Sequence, residues 1–207
     1  VFLKKMTVTE GVYPLTSRKE NINKVEKFLF SSVAIGNTDY LGQVQTSVVA
    51  YGLNRMSEIV RDDVYYLSRY LAPYLSTQDF EYVLKKRAKA FVRIPDWMQY
   101  YKGRSGVIGT RIHGNLLALQ AETPAIPIVH DTRTEELCST MAIPFIKLPE
   151  ITCDLSFEHL HSLINEKMKF SHVELDGKRS QLAKNYFDLV ADLGLKPSAQ
   201  LKHISKY

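Results

Sequence analysis

The segment GVIGTRIHGNLLALQAETPAIPIVHDTRTEELCSTMAIPFIKL (residues 106–148) decides the fold, because short apolar runs alternate with amphipathic runs along it. Short apolar runs predict strands, and amphipathic runs at helical spacing predict helices. In chain order these are strand 106–110, helix 114–122, strand 125–130, helix 132–141 and strand 144–148. Such alternation is typical of βαβ units with right-handed crossovers and helices on both faces of the sheet. We therefore expect an α/β fold with a Rossmann-like parallel sheet.

Outside this segment the sequence predicts mainly helices. The predicted helices are 17–30, 62–75, 76–93, 94–104, 156–168 and 177–194. Ser17 with Glu20 forms a candidate capping box, and Ser76 is a candidate N-cap. The short run SSVAIG (31–36) predicts a strand, whereas periodicity leaves residues 40–56 open between a helix and a strand-turn element.

Composition excludes several classes of protein. The chain has 207 residues, 45% of them hydrophobic, and no apolar run long enough to span a bilayer. The net charge is +5, but the basic residues are dispersed, and the densest cluster (83–93) is expected to form one face of a helix. No nucleic-acid-binding motif accompanies it, so we expect no nucleic-acid partner. A basic surface would equally attract a phosphorylated small molecule or an anionic membrane surface.

The two cysteines, Cys138 and Cys153, form neither a disulfide framework nor a zinc motif. Both lie in apolar surroundings, so we expect buried, inert thiols in a reducing, cytoplasmic compartment. The glycine pattern G-x-G-x-x-G is also absent, which argues against a dinucleotide-dependent dehydrogenase.

The turn GTRIHGN (109–115) follows one predicted strand and begins the next helix. The substrate-binding residues predicted here are Gly109, Thr110, Arg111, Gly114 and Asn115. In open parallel sheets, ligands bind beyond the carboxyl ends of the strands, where glycines allow close approach and a helix N-terminus attracts anions. The Arg111 guanidinium can grip a phosphate or carboxylate with two hydrogen bonds, and His113 can transfer a proton near neutral pH.

The next strand ends in a similar group of side chains. Its candidate site residues are His130, Asp131, Arg133, Glu135 and Glu136. Asp131 or Thr132 could instead be a helix N-cap and the glutamates partners of the helix dipole. Because two successive strand ends carry histidine and arginine, we expect both to face one cleft. These residue types imply no metal.

Residues 97–144, and GTRIHG and HDTRTEEL above all, resemble the polysaccharide pyruvyl transferase family. The resemblance extends more loosely to GNTDYLGQVQ and DFEYVLKKRAKAF. It implies a GT-B-like fold of two Rossmann-like halves. It also implies transfer of the enolpyruvyl group of phosphoenolpyruvate to two sugar hydroxyls, as a cyclic ketal, in the synthesis of bacterial surface polysaccharides.

Several roles follow from that resemblance. The family's Arg-x-His element corresponds to Arg111 and His113, which implies that they bind the donor and catalyse the reaction. His113 is the expected acid, Arg133 a second anion-binding residue, and Asp131 a group that orients a histidine or accepts a hydroxyl proton. Phosphoenolpyruvate enters as donor substrate, no cofactor is expected, and the saccharide acceptor is free or lipid-linked. One place where the protein would then act is the inner face of the membrane, with which it would associate peripherally.

The sequence predicts one α/β domain over residues 1–207, with a donor-binding core at 97–150. The family's Asn-x-Gly-Asp-type segment has no equivalent here, and IGNTDYLG is the nearest string. We therefore expect the chain to be the C-terminal part of a longer two-domain protein. Two other functions stay open: a GT-B-type glycosyltransferase that uses a nucleotide sugar, with a glutamate on the ribose, and a non-catalytic Rossmann-like binding module.

Overall fold

A parallel sheet is the centre of the structure. The structure is a computed structural model that describes residues 5–9, 20–36, 38–167 and 172–205. Within those ranges the strands are β1 (Met6–Thr9), β2 (Asp39–Leu41), β3 (Ala88–Lys89), β4 (Gly106–Gly109), β5 (Ala125–Val129) and β6 (Ile146–Lys147). They form one six-stranded sheet of order β3-β2-β1-β4-β5-β6, in which every pairing is parallel.

Helices connect the strands. They are α1 (Glu20–Ile35), α2 (Thr46–Gly52), α3 (Arg61–Leu71), α4 (Thr77–Arg87), α5 (Ile94–Tyr101), α6 (Ile112–Gln120), α7 (Thr132–Thr140), α8 (Leu148–Thr152), α9 (Phe157–Lys167), α10 (His172–Asp192) and α11 (Ala199–Ile204). A 3-10 turn (Met56–Glu58) precedes α3. Among the described residues, none of these helices is long and apolar enough to cross a bilayer.

Side chains alternate along the central strands between two hydrophobic cores. In β4, Ile108 packs into a core with residues of α1, α3, α4, α8 and α9, whereas Val107 packs against α5 and α6. In β5, Ile126 and Ile128 join the first core, and Ala125 joins the second. Successive side chains of a strand point to opposite faces, so both faces of the sheet are covered. The α/β, Rossmann-like prediction is confirmed.

The order of the strands creates a crevice between β1 and β4. The chain adds β2 and β3 on one side of β1 and then crosses over to add β4, β5 and β6 on the other side. Connections therefore leave β1 and β4 in opposite directions, which opens a gap beyond their carboxyl ends. The turn 109–115 lies directly at this gap, because it follows β4.

The prediction of a strand at 31–36 is wrong, because residues 31–35 form the end of α1 and Gly36 follows it as a bend. The Ser31 and Ser32 hydroxyls donate to the carbonyl oxygens of Phe28 and Leu29 in the preceding turn. Val33 is fully buried in the core. Tertiary packing thus outweighs the strand preference of this β-branched run.

The basic cluster 83–93 is only partly helical, contrary to the prediction. Helix α4 ends at Arg87, and the chain continues as β3 at the edge of the sheet. Ala88 pairs with Tyr40 of β2, and the Lys89 carbonyl accepts a hydrogen bond from the Gly42 amide. These pairings add Ala88 and Lys89 to the sheet as its edge strand.

Other local predictions had different outcomes. The Ser76 hydroxyl caps α4 by accepting from the Asp79 amide, as predicted. Residues 40–56 contain the end of β2 and then α2. Ser17 lies outside the described residues.

The two thiols differ, so the prediction of two buried cysteines is wrong for one of them. Cys138 is buried, and burial raises the pKa of its thiol to about 11. Cys153 is exposed at the end of α8, where a thiol can meet reagents from solvent.

Candidate active site

The turn between β4 and α6 is packed against the end of β1. Gly109 ends β4 with φ near +157°, and a Cβ on it would collide with the side chain of Thr9 and lie 2.9 Å from its carbonyl oxygen. A Cβ on Gly114 would lie 2.9 Å from both the Thr9 methyl carbon and Gln43 Nε2. At Gly109 the close approach of the Thr9 backbone requires glycine, whereas at Gly114 the side chains of Thr9 and Gln43 would have to shift to admit a Cβ.

Asn115 holds this turn from the side of the helix. Its Nδ2 donates to the carbonyl oxygens of Gly109, at 3.2 Å, and Arg111, at 2.8 Å. The side chain is fully buried, so these bonds act in an environment where losing them is costly. Asn115 thereby fixes the backbone on either side of Thr110.

Arg111 and His113 lie at the positive end of α6. Arg111 is the half-buried N-cap residue, and His113 is exposed in the first turn. The first turn of α6 contains no acidic residue, so its free N–H groups and dipole are not neutralised by its own side chains. A guanidinium beside such a helix end suits a small, multiply charged anion.

The end of β5 places a second histidine and a carboxylate at the same edge of the sheet. His130 is mostly buried, and its Nδ1 lies 3.6 Å from Asp131 Oδ2. The Asp131 carboxylate caps α7 by accepting from the Thr134 amide at 2.7 Å and from the Thr134 hydroxyl at 2.6 Å.

Partial burial raises the pKa of Asp131, but the hydrogen bonds from Thr134 and the charges of His130 and Arg133 outweigh it, so the net pKa is lowered. A carboxylate with a lowered pKa stays ionised at neutral pH. Asp131 is therefore a helix cap, as one of the two interpretations of this segment predicted, and it keeps its charge near His130.

The other candidate residues that follow β5 lie in different surroundings. Arg133 and Glu136 are exposed on α7. Glu135 forms an ion pair with Lys147 at the end of β6, with 2.6 Å between Oε1 and Nζ. The Glu135 carboxylate is therefore turned toward β6. The roles of Arg133 and Glu135 in substrate binding stay predictions.

The two strand ends are neighbours in the sheet. Gly109 is opposite Pro127 in the β4–β5 register, so Arg111 and His130 follow adjacent strands at the same carboxyl edge. In the described part of the chain, no cluster of three or more histidine, cysteine, aspartate or glutamate side chains is arranged to hold a metal ion.

Sequence reasoning missed Glu26 of α1, which lies beneath the turn. The Thr110 hydroxyl donates to Glu26 Oε1 at 3.2 Å, and the Tyr70 hydroxyl donates to Oε2 at 3.0 Å. Thr110 itself is buried, so its hydroxyl faces the interior of the protein. The sequence did contain a signal for this residue. Glu26 lies on the apolar face of α1 with Ile22 and Leu29, where a charged residue is unusual.

A separate depression lies away from this edge of the sheet. It has a volume of about 590 Å³, and α6, α10 and the segment after α7 form its walls. Gln120 at the last turn of α6 lines it, so it opens near the opposite end of the helix from Arg111. This depression therefore does not include the candidate residues at the carboxyl edge of the sheet.

The fold and site define a Rossmann-like protein with a candidate anion-binding site at its topological switch point. The sequence profile of the polysaccharide pyruvyl transferase family matches residues 18–132, which is more than half of the chain. The chain therefore belongs to the polysaccharide pyruvyl transferase family. No curated protein and no solved structure matches it.

Proposed function

We propose that the chain binds phosphoenolpyruvate and takes part in transferring its pyruvyl group to two hydroxyls of a saccharide as a cyclic ketal. Membership of the family supports a pyruvyl transferase active in polysaccharide synthesis. The observation that carries the choice of donor is the position of Arg111 at the N-terminus of α6, beside the switch point. A small trianion is the class of ligand that such a helix end and guanidinium attract.

The reaction needs a proton donor and a proton acceptor but no redox partner. A proton adds to the methylene carbon of the donor, and one acceptor hydroxyl adds to the neighbouring carbon. The second hydroxyl then displaces phosphate from the same carbon. The two hydroxyl protons end on the new methyl group and on the released phosphate, so atoms and charges balance.

We assign the acid to His113 and the acceptor of a hydroxyl proton to Asp131. His113 is exposed in the first turn of α6, next to the proposed anion site, and histidine is the side chain that most often acts as a general acid or base. The lowered pKa of Asp131 keeps it ionised, as a base must be. Arg111 binds the phosphate or carboxylate of the donor, and Arg133 on α7 is the second cation at this edge.

We also propose that the acceptor saccharide is met at the inner face of a membrane. Val92, in the loop after β3, is 75% exposed, and Ile94, the first residue of α5, is 61% exposed, on either side of Arg93. Exposed aliphatic side chains next to cations suit an anionic membrane surface.

Calorimetric titration with phosphoenolpyruvate tests the donor assignment. We expect wild-type protein to bind it, and Arg111→Lys to weaken binding by about tenfold or more, because lysine keeps the charge but loses the two-pronged hydrogen bond. Arg179→Ala is the matched control, since it removes a guanidinium near the far end of α6. It should bind as wild type does.

The same titration separates the competing functions. Tighter binding of a nucleotide sugar than of phosphoenolpyruvate would indicate a glycosyltransferase. In a transfer assay, His113→Ala should abolish product formation with donor binding retained. Unchanged transfer by that variant would remove His113 from the mechanism.

A further inference from the structure

Glu26 is a buried carboxylate at the centre of the molecule. Its side chain belongs to α1, the residue is 4% exposed, and the neighbouring Val25 and Leu29 are core residues. Burying a carboxylate is costly unless hydrogen bonds replace the lost water. A glutamate here therefore requires specific donors.

Two hydroxyls from distant parts of the chain donate to it. Tyr70 of α3 donates to one oxygen and Thr110 to the other, at 3.0 Å and 3.2 Å. The Tyr70 pKa is raised by burial and by the negative charge of Glu26, so Tyr70 remains a neutral donor. Glu26 thus connects α1 and α3 to the residue immediately before Arg111.

The turn is consequently held from two sides. Asn115 fixes the carbonyl groups of Gly109 and Arg111 from α6, and Glu26 fixes the Thr110 side chain from α1. The backbone from which the Arg111 side chain extends is therefore set before any ligand arrives. Side chains that are already held in place bind a ligand more tightly, because less conformational entropy is lost when the ligand binds.

We infer that Glu26 is a positioning residue that acts through Thr110 to orient Arg111 and the N-terminus of α6 toward the donor. This inference rests on the proposed function for the identity of the donor. Glu26 itself is buried beneath the turn, so we assign it no direct contact with the donor.

The test uses Thr110→Val, Glu26→Leu and the double variant, titrated with phosphoenolpyruvate. We expect each single variant to raise the Kd about tenfold, because small displacements of binding groups have large effects. The Kd of the double variant should be no higher than that of the weaker-binding single variant, since both changes break the same hydrogen bond. Thr110→Ser keeps the hydroxyl and should restore the wild-type Kd to within about twofold.

Tyr100→Phe is the matched control for general loss of stability. It removes another hydroxyl-to-carboxylate bond, the 2.7 Å bond to Asp39, which lies at the amino end of β2. We expect it to lower the melting temperature and leave the Kd unchanged. If Thr110→Val lowers the melting temperature as much as Tyr100→Phe and leaves the Kd unchanged as well, Glu26 is only structural and the inference fails.

Hydrogen exchange of the amides of residues 109–115 provides a readout without a donor. Thr110→Val and Glu26→Leu should speed this exchange, whereas Tyr100→Phe should not. If wild-type protein does not bind phosphoenolpyruvate but the exchange changes as expected, the donor assignment fails and the positioning of the turn stands. Unchanged exchange in both variants would refute the positioning role, whatever the donor is.

Discussion

Asp131, at the carboxyl edge of the sheet, contacts both a helix N-terminus and a histidine. Its carboxylate caps α7 through Thr134, and it also lies 3.6 Å from His130. Capping explains its position without any substrate. Its proposed part in proton transfer must therefore be measured separately from its contribution to stability.

We expect Asp131→Ala to lower the free energy of unfolding by about 1 kcal/mol at pH 7, the usual effect of losing a helix N-cap. Because the folded-state pKa of Asp131 is lowered, its charge stabilises the fold above the unfolded-state pKa, and this stabilisation is lost as the pH falls through the folded-state pKa. The difference between wild type and variant should therefore shrink below about pH 4. Urea unfolding at several pH values measures it.

Asp131→Asn is the control, because asparagine also caps helices but does not titrate. It should keep most of the stability at pH 7. A wild-type-to-alanine difference that stays constant from pH 7 to pH 3 would contradict the role of the ionised carboxylate.

At the scale of elements, the site depends on how closely β4 and α6 approach β1. Thr9 ends β1 and touches both glycines of the turn, so the strand end and the helix N-terminus share one small space. This contact fixes the helix N-terminus at the crevice between β1 and β4.

We expect Gly109→Ala to lower the free energy of unfolding by about 1–3 kcal/mol, the usual effect of overpacking, because the new methyl group would collide with Thr9. Gly177→Ala in α10 is the matched control, since a Cβ there meets nothing within 4 Å. That change should be neutral or slightly stabilising because alanine favours helices. Equal stability of both variants, measured by denaturant unfolding, would show that the β1–β4 approach is not tight.

At the scale of the whole molecule, the segment that follows β3 combines positive charge with exposed aliphatic side chains. The chain carries a net charge of +5. Val92, which follows the edge strand β3, and Ile94, the first residue of α5, are exposed on either side of Arg93 in the sequence. Arg93 pairs with Asp96 of α5, which shapes the loop that presents the two aliphatic side chains.

We expect the protein to sediment with vesicles that contain phosphatidylglycerol and less with neutral phosphatidylcholine vesicles. Replacing Val92 and Ile94 by serine should reduce binding severalfold, because aliphatic insertion adds to electrostatic attraction. Serine at Val173 and Leu195, which are similarly exposed near the C-terminus, is the matched control. Equal binding by both double variants would contradict the proposed membrane surface.

Long, periodic segments were predictable from the sequence. Every strand and helix predicted between residues 106 and 148 is present in the structure, even the two-residue strand β6, because short apolar runs alternate there with amphipathic runs. Arg111 and His113 were also placed correctly, at a strand-to-helix turn. Outside that segment, the short strands β2 and β3, of three and two residues, were not predicted. The central strand β1 (MTVT) also went unpredicted, although valine and threonine favour strands.

The sequence by itself determined the parallel α/β architecture and the residue types at its carboxyl edge, because periodicity and residue type are local properties. Only the tertiary structure decided which residues pack against that edge. Glu26 is 84 positions away from Thr110 in the chain, and their hydrogen bond exists because α1 packs beneath the sheet. Likewise, residues 31–35 form the end of α1, where Val33 is buried in that core, and no local pattern contains this packing.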